Sequence, residues 1–111
     1  MDVAIEWPRK NAAVVIVSGE VDLQTSPRLR DALLSCFGDA SQVIVDLSGV
    51  EYIDSSGITS LLEGYQDARS KQASFSLAGV SEGAMRVLRL ARLDKVLPIG
   101  VDVETVLAGG N

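Results

Sequence analysis

Short apolar runs alternate with stretches of helical period along the chain, the pattern of an α/β layer fold. Val3 to Trp7 reads as a first strand, stopped at Pro8, and Arg9-Lys10-Asn11 as a polar turn. Ala12 to Val17 is an unbroken apolar run that suits a strand covered on both faces. So short a connection makes the first two strands an antiparallel hairpin. Gly19 is expected to end the second strand. Ser26-Pro27 marks a helix start, with Ser26 as N-cap, and Leu29, Ala32, Leu33, Cys36 and Phe37 form its apolar stripe, closed by Gly38. Gln42 to Asp46 is a third, buried strand; Leu47 to Gly49 turns, and Val50 to Ile53 returns to the core. A second helix runs from Ser55 to about Arg69, with Ile58, Leu61, Leu62, Tyr65 and Ala68 on one face. Ala73 to Ala78 is a fourth strand, and Ser81 caps a third helix. Leu93 to Ile99 is read as a last short strand, and Val101 to Leu107 as a short terminal helix before a frayed Gly109-Gly110-Asn111. The element order β-β-α-β-α-β-α-β-α predicts a single domain over residues 1–111, one mixed β-sheet with helices packed on it.

Composition narrows the functional classes. The chain has 111 residues, 47 % of them apolar, and a formal charge of −5. That length suffices for a core without disulfides or metal. No apolar run approaches the roughly 18 residues of a membrane span. The start Met1-Asp2-Val3-Ala4-Ile5-Glu6 has no apolar leader segment, so a cytoplasmic location without membrane association is the default expectation. The acidic balance disfavours nucleic acid, which needs clustered Lys and Arg. The sequence contains no histidine, which removes Ser-His-Asp and Cys-His triads, the usual zinc sets and phosphohistidine relay. Cys36 is the sole cysteine and lies in the apolar stripe of the first helix, where a buried filler is expected. The acidic residues Glu20, Asp22, Asp46, Glu51 and Asp54 match no metal-loop spacing. Arg86, Arg89 and Arg92 recur on the third helix. They read as a solvated face, with a docking stripe for an acidic partner as the alternative. Trp7 is expected to close one end of the core.

The informative stretch is Val43-Ile44-Val45-Asp46-Leu47-Ser48-Gly49-Val50-Glu51-Tyr52-Ile53-Asp54-Ser55-Ser56-Gly57-Ile58. A buried strand leads through a turn to a helix that opens on Asp-Ser-Ser-Gly. Asp54 or Ser55 would be the N-cap, and the orphan amides of the first turn point toward this loop. A phosphate on Ser55 would meet those amides and the positive end of the helix dipole, adding about −1.5 to −2 charges at one point of the surface. Asp22 and Asp46 each follow a strand and are expected at the same end of the sheet. On chemistry alone, simple capping is the favoured explanation of these residues, and phosphorylation the lesser one.

The same stretch resembles the signature of the STAS domain family, in particular the bacterial anti-sigma factor antagonists. The similarity lies in the hydrophobic-Asp-Leu-Ser-Gly-Val segment and in Asp54-Ser55-Ser56-Gly57, with Ile58 where leucine is usual. Gly19-Glu20-Val21-Asp22, Val80-Ser81 through Leu88, Leu90, and Leu93-Asp94-Lys95-Val96-Leu97 are further points of likeness. The resemblance implies a phosphoprotein that works by partner switching in transcription regulation and has no catalytic residues. Its unphosphorylated form would bind a serine-kinase anti-sigma factor of histidine-kinase-like ATPase fold and so free a sigma factor. Phosphorylation of Ser55 would release the kinase, and a metal-dependent serine phosphatase would reset the switch. Asp54, Ser56 and Gly57 would shape the acceptor loop, and Asp22 would lie on the partner-facing surface. The chain itself would need no cofactor, since ATP and magnesium belong to the kinase. The free protein is expected to be monomeric.

Two rivals come from other classes. One is a STAS subunit of a lipid-transport or stressosome-like complex that does not switch. Such relatives often replace the acceptor serine, which this chain keeps. The other is a phospho-aspartate receiver with Asp46 as acceptor; the opening hairpin and the placement of Glu20, Asp22 and Lys95 argue against it. An independent enzyme lacks any nucleophile–base pair.

Overall fold

The computed structural model describes residues 1–109; Gly110 and Asn111, part of the expected frayed end, lie outside the described residues. Strands β1 (Asp2–Arg9), β2 (Ala12–Val21), β3 (Gln42–Ile53), β4 (Ser74–Ala78) and β5 (Ile99–Gly100) form one sheet in the order β1-β2-β3-β4-β5. β1 pairs with β2 antiparallel, while β2 to β5 run parallel. Helices α1 (Ser26–Cys36), α2 (Ser55–Ser70), α3 (Glu82–Leu90) and α4 (Val103–Leu107) complete the expected order.

The period-two alternation of β2 and β3 sorts their side chains between two layers. Ala13, Val15, Val17, Val43 and Val45 face one way, into a core with Leu29 and Leu33 of α1, Leu61 of α2 and Leu88 of α3. Val14 and Ile44 face the other way and meet Val106 of α4. The apolar run Ala12 to Val17 is thus covered on both faces, as its composition predicts. Gly64 of α2 allows a close approach: a Cβ there would stand 3.0 Å from both Leu33 Cδ1 and Phe75 Cε2. Cys36 is buried in the larger core. Its thiol pKa is raised by burial, against a smaller lowering from a hydrogen bond with Ser35.

Several boundaries differ from the sequence expectation, for local physical reasons. Pro8 does not stop β1, because β1 is an edge strand and the register shifts between Glu6 and Arg9, where a missing N–H is tolerated. Gly19 does not end β2 but sits inside it at φ +85°, at a second irregularity between Gly19 and Glu20. Leu47 to Gly49 is not a turn. β3 continues through it, taking up an extra residue between the pairs Ile16–Asp46 and Ser18–Gly49 as a bulge. Helix α1 begins at Ser26 with Thr25 as N-cap, so Ser26 is its first residue and not its cap. Leu93–Lys95 is a 3₁₀ turn, leaving only Ile99–Gly100 for the last strand. Trp7 does not close the core. The fully buried side chains come from β2, β3, β4 and the helices packed on them, and Trp7 on the outer strand stays 46 % exposed. It flanks an open groove of about 420 Å³ with Arg9, Lys10, Asn11 and Asp39.

Candidate functional site: the Asp54–Gly57 turn

The long β2–β3 pair carries the site at its C-terminal end. Val21 pairs with Ile53 in the last rung, and the Asp54 N–H donates to Val21 O at 3.1 Å. The loop after β2 and the turn after β3 therefore lie side by side. Parallel strands end at the same edge of a sheet, which is where α/β folds place their sites.

Asp54 is the N-cap of α2 in extended conformation. Its Oδ1 accepts the Ser56 N–H at 2.9 Å, the Gly57 N–H at 3.3 Å and the Ser56 hydroxyl at 2.5 Å. The carboxyl is held below its ordinary range. The Ser56 hydroxyl is the largest cause, partial burial opposes it, and the Gly57, Ser56 and Leu23 amides add to it. The Leu23 amide belongs to the neighbouring loop, which Asp54 joins through its backbone N–H to Val21 O.

This cap corrects one expectation. Three first-turn amides already have partners before any phosphate is added: Asp54 accepts from the Ser56 and Gly57 N–H groups, and the Ile58 N–H donates to Asp54 O at 3.0 Å. A phosphoryl group on Ser55 would sit next in sequence to the Asp54 carboxylate, with the Ser56 and Gly57 amides already engaged. A phosphate so close to a carboxylate is repelled by it, the more so for its charge of about −1.5 to −2.

The two serines differ sharply. Ser55 is exposed, and among the described residues its hydroxyl has no hydrogen-bond partner. Ser56 is partly buried with its hydroxyl bound to Asp54. Gly57 is buried, and a Cβ there would stand 2.5 Å from Ile53 Cγ1 and 2.8 Å from Val21 Cγ1. Only glycine lets α2 start this close to the β2–β3 ends.

Asp22 builds the neighbouring loop. Its Oδ1 accepts from the Gln24 and Thr25 N–H groups at 3.0 Å each, and its own N–H donates to Thr25 Oγ1 at 2.8 Å. Asp22 O accepts the Ser26 N–H at 2.8 Å, holding the start of α1. The Ser60 hydroxyl donates to Ser26 O at 3.1 Å, tying α1 to α2 behind the site. The structure thus brings Asp22, Asp54, Ser55, Ser56 and Gly57 together.

Asp46 does not join them. It lies seven positions before the end of β3 and pairs with Ile16 and Ala78 on either side. With Ser48, Gly79, Asp102, Val103 and Glu104 it lines a cleft of about 290 Å³ beside α4. No lysine lines that cleft, so the receiver reading loses its charge partner as well as its topology. Among the described residues no group of three or more acidic or cysteine side chains is placed to hold a metal ion. No helix among them is long and apolar enough to cross a membrane.

Leu23 escaped the sequence reading. It is 76 % exposed in the loop beside the Asp54 turn. Its only sequence signal was an apolar residue between Asp22 and Gln24, outside any strand or helix period.

Comparison with known proteins bears on the fold and the family. The family model described as Mlab, STAS domain matches residues 7–99. The anti-sigma-B factor antagonist of Listeria monocytogenes serovar 1/2a is 26 % identical over 114 positions, spanning 100 % of this chain and 99 % of that protein. The crystal structure of an anti-sigma factor antagonist from Mycobacterium paratuberculosis superimposes with a TM-score of 0.86 at 28 % identity, covering 97 % of this chain and 92 % of the other. The Bacillus cell fate determinant SpoIIAA in its phosphorylated form shares the fold, with a TM-score of 0.74 at 17 % identity over 95 % of this chain and 96 % of the other. The chain belongs to the STAS domain family.

Proposed function

We propose that the chain is an anti-sigma factor antagonist, a regulatory binding protein of the cytoplasm and not an enzyme, switched by phosphorylation of Ser55. Unphosphorylated, the surface made by the Asp22–Thr25 loop and the Asp54–Gly57 turn docks on a serine-kinase anti-sigma factor of histidine-kinase-like ATPase fold. The kinase, with its own ATP and magnesium, phosphorylates Ser55 and dissociates, and a metal-dependent serine phosphatase restores the docking form. Two relatives named for anti-sigma factor antagonism at 26–28 % identity support the class, and a phosphorylated member of the fold supports the switch.

The observation that carries the assignment is the contrast between the two serines. A kinase needs a hydroxyl that can reach its active site and accept a base. Ser55 offers a free, exposed hydroxyl at the first position of α2, while that of Ser56 is occupied by Asp54. The exposed Leu23 supplies an apolar contact beside it. Phosphorylation adds charge next to Asp54, whose caps on Ser56 and Gly57 leave those amides engaged, so the new charge projects into the partner. The test is capture of the cognate kinase by wild type, Ser55→Ala and Ser55→Asp: Ala retains it and Asp weakens it. Equal capture by all three refutes the switch and favours a non-switching STAS subunit.

A further inference from the structure

The surface at the C-terminal end of α3 differs in charge from the rest of the chain. In a chain of net charge −5, the stretch from Glu82 to Lys95 holds four of the ten cations and only two of the fifteen carboxylates. Arg86, Arg89 and Leu90 lie on the side of α3 opposite its buried Ala84 and Leu88. Leu90 is 81 % exposed among them. None of the four cations is in an ion pair among the described residues.

The backbone gathers the rest of the patch. Arg92 takes a left-handed conformation, φ 61°, just past the helix, and its N–H donates to Arg89 O at 3.0 Å. Glycine usually fills that position. The turn sends Leu93 into the core and folds the 3₁₀ segment back against α3. Lys95 and Val96 are thereby exposed at the same end, Val96 by 48 %. This end is remote along α3 from Ser81, whose hydroxyl donates to Val50 O on the strand leading to the Ser55 turn.

We infer that Arg86, Arg89, Leu90, Arg92, Lys95 and Val96 form a second docking face, for an acidic protein segment that seats an apolar side chain against Leu90. Charge complementarity names the occupant. Unpaired arginines around an exposed leucine match a carboxylate-rich amphipathic helix, since arginines steer such a partner and buried apolar anchors hold it. The strongly acidic remainder of the chain disfavours nucleic acid and anionic lipid, which would meet like charge beyond the patch. This face is independent of the Ser55 switch.

The experiment is an amide-shift titration of the whole protein with a synthetic helical peptide of glutamates carrying leucine at every fourth position. Shifts confined to residues 86–96 are expected, weakening as salt screens the charges. Arg86→Glu with Arg89→Glu reduces affinity about tenfold or more, and Leu90→Ser reduces it severalfold. Lys10→Glu, an exposed cation outside the patch, leaves it unchanged. Absence of shifts at these residues overturns the inference, as does equal weakening by Lys10→Glu. So does an equal response to a single-stranded oligonucleotide or to phosphatidylglycerol vesicles.

Discussion

Asp54 Oδ1 accepts the Ser56 hydroxyl at 2.5 Å. That one bond divides the labour between two adjacent serines: Ser56 completes the helix cap, and Ser55 is left with a free hydroxyl. Ser56→Ala should raise the Asp54 pKa toward its ordinary value, because the largest cause of its lowering is gone. Carbon-detected titration of Asp54 reads this. The substitution costs about 0.5–1.5 kcal/mol of stability in urea unfolding and leaves Ser55 modifiable.

Asp54→Ala removes the cap of α2 and costs about 0.5–2 kcal/mol. The pH dependence follows from the sign of its shift. The folded carboxyl titrates below its ordinary 3.8, so the ionised form stabilises the fold. That contribution is fully present above pH 3.8 and is lost as the pH falls through the lower folded value. Denaturation followed between neutral pH and pH about 2 should lose more stability in wild type than in Asp54→Asn, which has no carboxyl to protonate. Parallel curves contradict this.

Gly57→Ala puts a methyl group into Ile53 and Val21, with contacts of 2.5 and 2.8 Å. Overpacking of this kind costs about 1–3 kcal/mol. Thermal unfolding should show it. The amide shifts of the Asp22–Thr25 loop should move too, since Val21 is its anchor.

Cys36 should resist a thiol reagent in the folded protein. It is 1 % exposed and its pKa is raised by burial. Labelling at the rate of global unfolding is expected, and fast labelling in native buffer contradicts the buried placement.

Much of this architecture was legible in the chain, because burial imposes period. Val14, Val15 and Ile44 announced a two-sided sheet, and Leu29, Leu33 and Cys36 a one-sided helix. What stayed hidden depended on long-range pairing. Gly19 and Leu47 to Gly49 carry turn chemistry, yet residues that turn a free chain also build bulges inside a paired one. Asp46 and Asp54 both border apolar runs, but only the register shows that Asp46 lies beside α4 and Asp54 beside Val21. The candidate loop was visible as Asp-Ser-Ser-Gly. The bond that separates Ser55 from Ser56 required the coordinates, since either hydroxyl could have closed the cap.

The most direct measurement is intact-mass analysis with site mapping after incubation with the cognate serine kinase and Mg-ATP. One phosphoryl group is expected on Ser55 in wild type, none in Ser55→Ala, and one on Ser55 in Ser56→Ala. Full phosphorylation of Ser55→Ala, or a phosphoryl group mapped to Ser56 in wild type, would contradict this.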